Sequence, residues 1–65
     1  MWLELTKADA VNGEDQRTYI NFSQVIEMTP VPHRNVTVLL FSAGFRTEVK
    51  EPVEAILRSL EGGTR

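Results

Sequence analysis

Pro52 stands between two incompatible periodicities, so it fixes where this chain must change its secondary structure. Before it, "FRTEVK" alternates: Phe45, Thr47 and Val49 share one face, and Arg46, Glu48 and Lys50 share the other. That is the period-2 pattern of a half-buried strand. After it, Val53, Ile56, Leu57 and Leu60 recur at i, i+3, i+4, i+7, which makes one apolar helical stripe. Proline has no N–H for a sheet ladder, but it suits the first helical position. The strand is therefore expected to stop near Glu51 and the helix to open at Pro52. Glu51 and Glu54 put negative charge at the positive end of the helix dipole. Arg58 lies in the last turns, and Gly62-Gly63 ends the helix. A helix this short is not stable alone in water, so its stripe must cover a sheet face, its own or a neighbour's.

Upstream the chain reads as strands and turns. "WLELTK" alternates, with Leu3 and Leu5 on one face and Trp2, Glu4 and Thr6 on the other. Asn12-Gly13 is the strongest turn signal, within a loop too long for a tight hairpin. "RTYI" is a short strand. Asn21 is placed to bond its own backbone two residues on and start a turn. "VIEMTP" resumes as a strand, and Pro30 is expected to end its ladder. "PVPHRN" is a rigid turn. "VTVLLF" is β-branched and apolar on both faces, which places it centrally, with its second face under the helix or a partner. Gly44 is the turn residue free to take positive φ. The sum is an α+β fold: four or five antiparallel strands in a meander, closed by one C-terminal α-helix, as a single small domain over residues 1–65.

A 65-residue chain buries only about 60% of its unfolded surface. Domains of this size usually add disulfides, a metal or a partner subunit. With no cysteine and a single histidine, His33, the expected staple is self-association, most simply a homodimer. Cysteine absence also suits a reducing cytosol. The alternating start lacks the basic and apolar regions of a signal peptide, and no stretch approaches the roughly 20 apolar residues of a spanning helix. A cytoplasmic location is the expectation. Asn21-Phe22-Ser23 and Asn35-Val36-Thr37 match the glycosylation pattern by chance. Seven basic against nine acidic side chains leave a net charge of −2. The basic residues are scattered, which counts against nucleic acid as a partner.

No nucleophile, base or cofactor set assembles in the sequence. His33 lies in a turn between Pro32 and Arg34, the setting of a solvated side chain. Helix-start electrostatics account for Glu51 and Glu54 without chemistry, and Glu48 lies on a strand face. Gly13 and Gly44 are turn glycines rather than a phosphate cradle. No catalytic, metal or cofactor site is expected, and the chain reads as non-enzymatic. Phe22, Phe41 and Phe45 lie in or beside turns and read as core. Trp2 is more informative: on the polar face of its strand it either packs under the helix or meets a partner, and tryptophan is enriched at interfaces. With the second face of the central strand, the candidate interface is Trp2, Val36, Val38, Leu40 and Phe41, facing a second copy or an unidentified protein partner.

Two resemblances bear on function. Leu5-Thr6, Gly13, Tyr19-Ile20-Asn21, Ile26, Thr37-Val38, Gly44 and Val49-Lys50-Glu51 with Val53, Glu54 and Ile56 fall in an order that resembles the FlbD-type flagellar and swarming motility family. Similar short proteins also occur among phage and prophage genes. The chain departs from that pattern in a longer first loop, residues 8–16, and in its proline-bracketed turn. The resemblance implies a small β-rich adaptor or modulator linked to motility or phage biology. A second likeness comes from Leu3, Leu5, Thr6 and Lys7, followed by a last strand running into an apolar helix. It resembles the carbon-storage regulator family and implies the alternative, a dimeric RNA-binding post-transcriptional regulator. Lys50-Glu51-Pro52 stands where such a regulator needs a basic strand end.

Overall fold

A computed structural model describes residues 1–8 and 16–62. The Asn12-Gly13 turn, most of the long first loop and Gly63 lie outside the described residues. The chain forms β1 (Trp2–Lys7), β2 (Gln16–Asn21), β3 (Val25–Val31), a 3₁₀ turn (Pro32–Arg34), β4 (Val36–Phe41), β5 (Arg46–Val49) and α1 (Val53–Gly62). The five strands make one antiparallel sheet in the order β2-β1-β5-β4-β3, with the helix at its C-terminal end. Chain neighbours are sheet neighbours except at β2 and β3, which are the two edges.

Those two edges are joined only by Phe22, Ser23 and Gln24. A flat five-stranded sheet would hold its edges about 19 Å apart, whereas the four Cα steps from Asn21 to Val25 reach at most about 14 Å. The sheet must therefore curl. The connection is tighter still because it is a turn: Ser23 N–H donates to Asn21 Oδ1 at 3.1 Å and Gln24 N–H to the Asn21 carbonyl at 3.0 Å. This is the local bond expected of Asn21.

The inner face of the curled sheet is the core. Leu5, Ile20, Leu39, Phe41 and Val49 come from four strands, and Ile56 of α1 closes over them at 1% exposure. Of the apolar stripe, Ile56 alone is fully buried. Val53 and Leu60 are half-buried, and Leu57 is 43% exposed. The four-residue stripe is thus corrected to one centred on Ile56. Leu57 lies one residue on, about 100° around the helix, and clears the sheet.

Three boundaries move for identifiable reasons. β3 runs through Pro30, opposite Thr37, to Val31. An edge strand tolerates proline because the missing N–H can face away from its neighbour. Gly44 takes φ +97°, and Phe45 follows it on the same face as Phe41, whose N–H its carbonyl accepts, but remains exposed at the hairpin tip. Its ring stacks on Phe41, with centroids 4.7 Å apart and planes at 14°. Pro52 stands just before α1, where its carbonyl accepts the Ile56 N–H at 3.1 Å, the role of the residue that caps the helix start.

The junction of β1 with β5 is short. Among the described residues only Lys7 and Val49 pair in the ladder, flanked by Ala8 N–H to the Glu48 carbonyl (2.9 Å) and Lys50 N–H to the Thr6 carbonyl (2.8 Å). The next donor due to bond across the ladder is the Thr6 N–H, just where the partner chain turns toward Pro52. The Glu51 carboxylate takes its place. It accepts the Thr6 N–H at 3.0 and 3.1 Å and the Thr6 hydroxyl at 2.9 Å. The Glu51 carbonyl in turn accepts from the buried Thr37 hydroxyl at 2.8 Å.

Two predictions test this packing by denaturant unfolding. Ile56→Ala should cost about 2–5 kcal/mol, as buried large-to-small changes do, whereas Leu57→Ala should stay within about 0.5 kcal/mol of the parent. Glu51→Ala should cost about 1.5–3 kcal/mol through the lost charge-assisted bonds, and Glu51→Gln less, since it keeps one acceptor oxygen.

Candidate functional site

The outer face of the β1–β2 ribbon is fixed by register. Trp2 opposes Asn21, Glu4 opposes Tyr19, and Thr6 opposes Arg17. Leu3 and Leu5 take the inner face, so alternation sends Trp2 and Tyr19 outward, with 64% and 65% of their surface exposed. Glu4 and Arg17 lie diagonally on this face and form an open ion pair at 3.3 Å, of a kind that contributes little to stability.

The tip of the β4–β5 hairpin stands beside these aromatics. Ser42 pins it to the start of β3: its N–H donates to the Gln24 carbonyl at 2.8 Å, and its hydroxyl to Gln24 Oε1 at 2.9 Å. Phe45, 59% exposed, rests on Phe41. Between hairpin and ribbon lies a mostly apolar groove of about 400 Å³, lined by Trp2, Tyr19, Ile20, Asn21, Gln24, Phe41, Ser42, Ala43 and Phe45. Its polar rim is uncharged: the side chains of Asn21, Gln24 and Ser42 offer hydrogen bonds but no ion pair.

The five interface candidates do not assemble into one patch. Trp2 and Phe41 meet in the groove, but Phe41 is a core residue, 8% exposed, that presents only part of its ring. Val36 opens onto a different depression, with Pro30, Val31 and Pro32. Val38 and Leu40 are half-buried on the outer face of β4. Val38 is flanked in register by Thr29 and Glu48, and Leu40 by Glu27 and Arg46. The second face of the central strand is therefore not under the helix; charged and polar neighbours from both sides flank its apolar side chains.

Sequence reasoning missed Tyr19 and Phe45. For Tyr19 the signal was present, because Arg17, Tyr19 and Asn21 alternate against Thr18 and Ile20. Phe45 carried no such signal: alternation places it on the inner face with Thr47 and Val49, and its exposure comes from its place at the hairpin tip.

The carboxylates are dispersed to separate tasks. Glu48 takes a two-pronged bond from Arg34, at 2.8 and 3.1 Å, which ties the 3₁₀ turn to β5. Glu51 holds Thr6, and Glu54 is exposed in the first turn of α1. His33 is exposed within the 3₁₀ turn. Among the described residues, no three His, Asp or Glu side chains gather to hold a metal ion, and no helix is long and apolar enough to cross a membrane. No protein-family model, curated protein or solved structure matches the chain.

The groove makes a spectroscopic prediction. Trp2 is the single tryptophan, so intrinsic fluorescence reports on it alone. Acrylamide should quench it readily in dilute native protein, nearly as well as in denaturant. Trp2→Phe should leave stability within about 0.5 kcal/mol of the parent.

Proposed function

We propose that this protein is a non-enzymatic interaction module, a small adaptor or modulator that works by protein–protein contact and associates with itself. One observation carries the reading. Trp2, Tyr19 and Phe45 are large aromatics, each more than half exposed, around one groove with an uncharged rim. Aromatic residues supply much of the binding energy at protein interfaces, and a domain that needs them only for folding would bury them. A cytoplasmic setting, which the absence of cysteine suits, and a role in motility or phage biology, which rests on the family resemblance, are part of the proposal.

The test is photo-crosslinking in cells from benzoylphenylalanine introduced at Tyr19. The expected result is discrete protein adducts that weaken when Phe45→Ala is combined with it. Adducts on RNA, together with saturable, salt-sensitive binding to a fluorescent RNA pool at micromolar protein that is lost in Lys7→Glu, would replace the proposal with the RNA-binding regulator.

A further inference from the structure

We propose that two copies of this chain join through β2, antiparallel across a two-fold axis at Thr18, so that their sheets continue into one. The inference rests on the self-association part of the proposed function and names the surface responsible.

The two free edges of the sheet are not equivalent. β3 carries Pro30 within its ladder and a register shift between Val25 and Glu27 that leaves Ile26 as an extra residue. Proline and bulges are devices that block strand addition. Among the described residues β2 has none of them: it pairs with β1 in unbroken register, without proline.

The backbone polarity of β2 follows from one bond. Phe22 N–H donates to the Met1 carbonyl at 2.7 Å, so Phe22, Ile20, Thr18 and Gln16 direct their amide groups toward β1. Antiparallel ladders alternate, so Arg17, Tyr19 and Asn21 direct theirs to the free edge. The Asn21 carbonyl already accepts from Gln24. The N–H and C=O groups of Arg17 and Tyr19 have no such partner among the described residues.

This edge is self-complementary in one register. An axis at Arg17 would set the two guanidinium groups directly opposite each other, and like charges there are destabilising. An axis at Tyr19 would draw on the Asn21 carbonyl that the turn already uses. With Thr18 on the axis, Arg17 exchanges both backbone bonds with Tyr19 of the second copy, and Tyr19 with its Arg17. Each guanidinium then lies beside an exposed phenol ring, a favourable cation–π pairing. The two threonines face each other, and the outward Trp2–Tyr19 surfaces of the two copies become continuous.

The chain has no cysteine, so single cysteines report the register cleanly. At the axis, a non-hydrogen-bonded pair brings Cα atoms to about 4.5 Å, within disulfide range. Gln16 would lie about 13 Å from Gln16 of the second copy, out of range. Under mild oxidation, Thr18→Cys should give a covalent dimer roughly tenfold faster than Gln16→Cys, as those separations require. In sedimentation equilibrium, Arg17→Pro, which removes a free-edge N–H but no bond to β1, should weaken association more than about tenfold. Should that variant fail to fold by circular dichroism, the cysteine pair decides. A dimer whose cysteine variants cross-link alike would overturn the β2 axis and leave self-association standing. Monomer mass up to high micromolar concentration, with no cross-link from Thr18→Cys, would overturn both.

Discussion

The fold depends on how Glu51 solves a conflict at the end of β5. The chain must leave the sheet there, because Pro52 has no N–H to continue a ladder and the helix must begin. Yet β1 still needs a partner for the Thr6 N–H. The Glu51 carboxylate meets that need with three bonds of 2.9 to 3.1 Å, while its own carbonyl takes the Thr37 hydroxyl from β4. One residue thereby ties the first strand, the fourth strand and the entry to the helix. A charged acceptor is apt here, since charge-assisted bonds are stronger than neutral ones and, among the described residues, the two strands otherwise share only the backbone bonds of Ala8 to Glu48 and Lys50 to Thr6 around the Lys7–Val49 pair.

Closure at that junction has consequences across the molecule. With β1 and β5 joined in the middle of the sheet, the edges fall to β2 and β3, and the short turn at Asn21 draws one end of each together. The curl gives the sheet a dry inner face, capped by Ile56, and an outer face open to solvent. Among the described residues a core of six buried apolar side chains is small, and comparably large residues remain outside: Trp2, Tyr19 and Phe45 around the groove, Ile26 on the β3 bulge. The same topology leaves the two edges unequal, one interrupted by a proline and a bulge, the other regular. Exposed aromatics thus stand beside a regular strand edge, the surface that the proposal assigns to protein contact.

Much of this was legible in the sequence where a local rule decides the outcome. Alternation placed Leu3 and Leu5 inward and Trp2 outward; Asn21 and Gly44 made the turns their chemistry favours; Pro52 separated strand from helix. The residues misread were those whose place depends on distant partners. Leu57 belongs to the apolar stripe by spacing, but only the angle of α1 on the sheet decides that Ile56, not Leu57, meets the core. Phe45 alternates with Thr47 and Val49 and stacks on the core ring of Phe41, but at the tip of the hairpin it stays 59% exposed. Glu51 reads as a helix-dipole charge, and nothing in the local pattern announces that its carboxylate reaches Thr6, 45 residues away. The candidate interface was legible only in part: Trp2 was visible from its face, Tyr19 was overlooked on the same grounds, and the five candidates proved to lie on different parts of the surface.

Native-state hydrogen exchange at the Thr6 amide tests the central role of Glu51 most directly, because that N–H has a carboxylate, not a strand, as its partner. If the carboxylate closes the junction, the Thr6 amide exchanges slowly, with protection close to that of amides inside the β1–β2 ladder, and opens with the global unfolding reaction. Exchange at the rate of an unprotected loop amide, while Leu3 and Ile20 stay protected, would contradict the account and show that β1 and β5 are held together without Glu51.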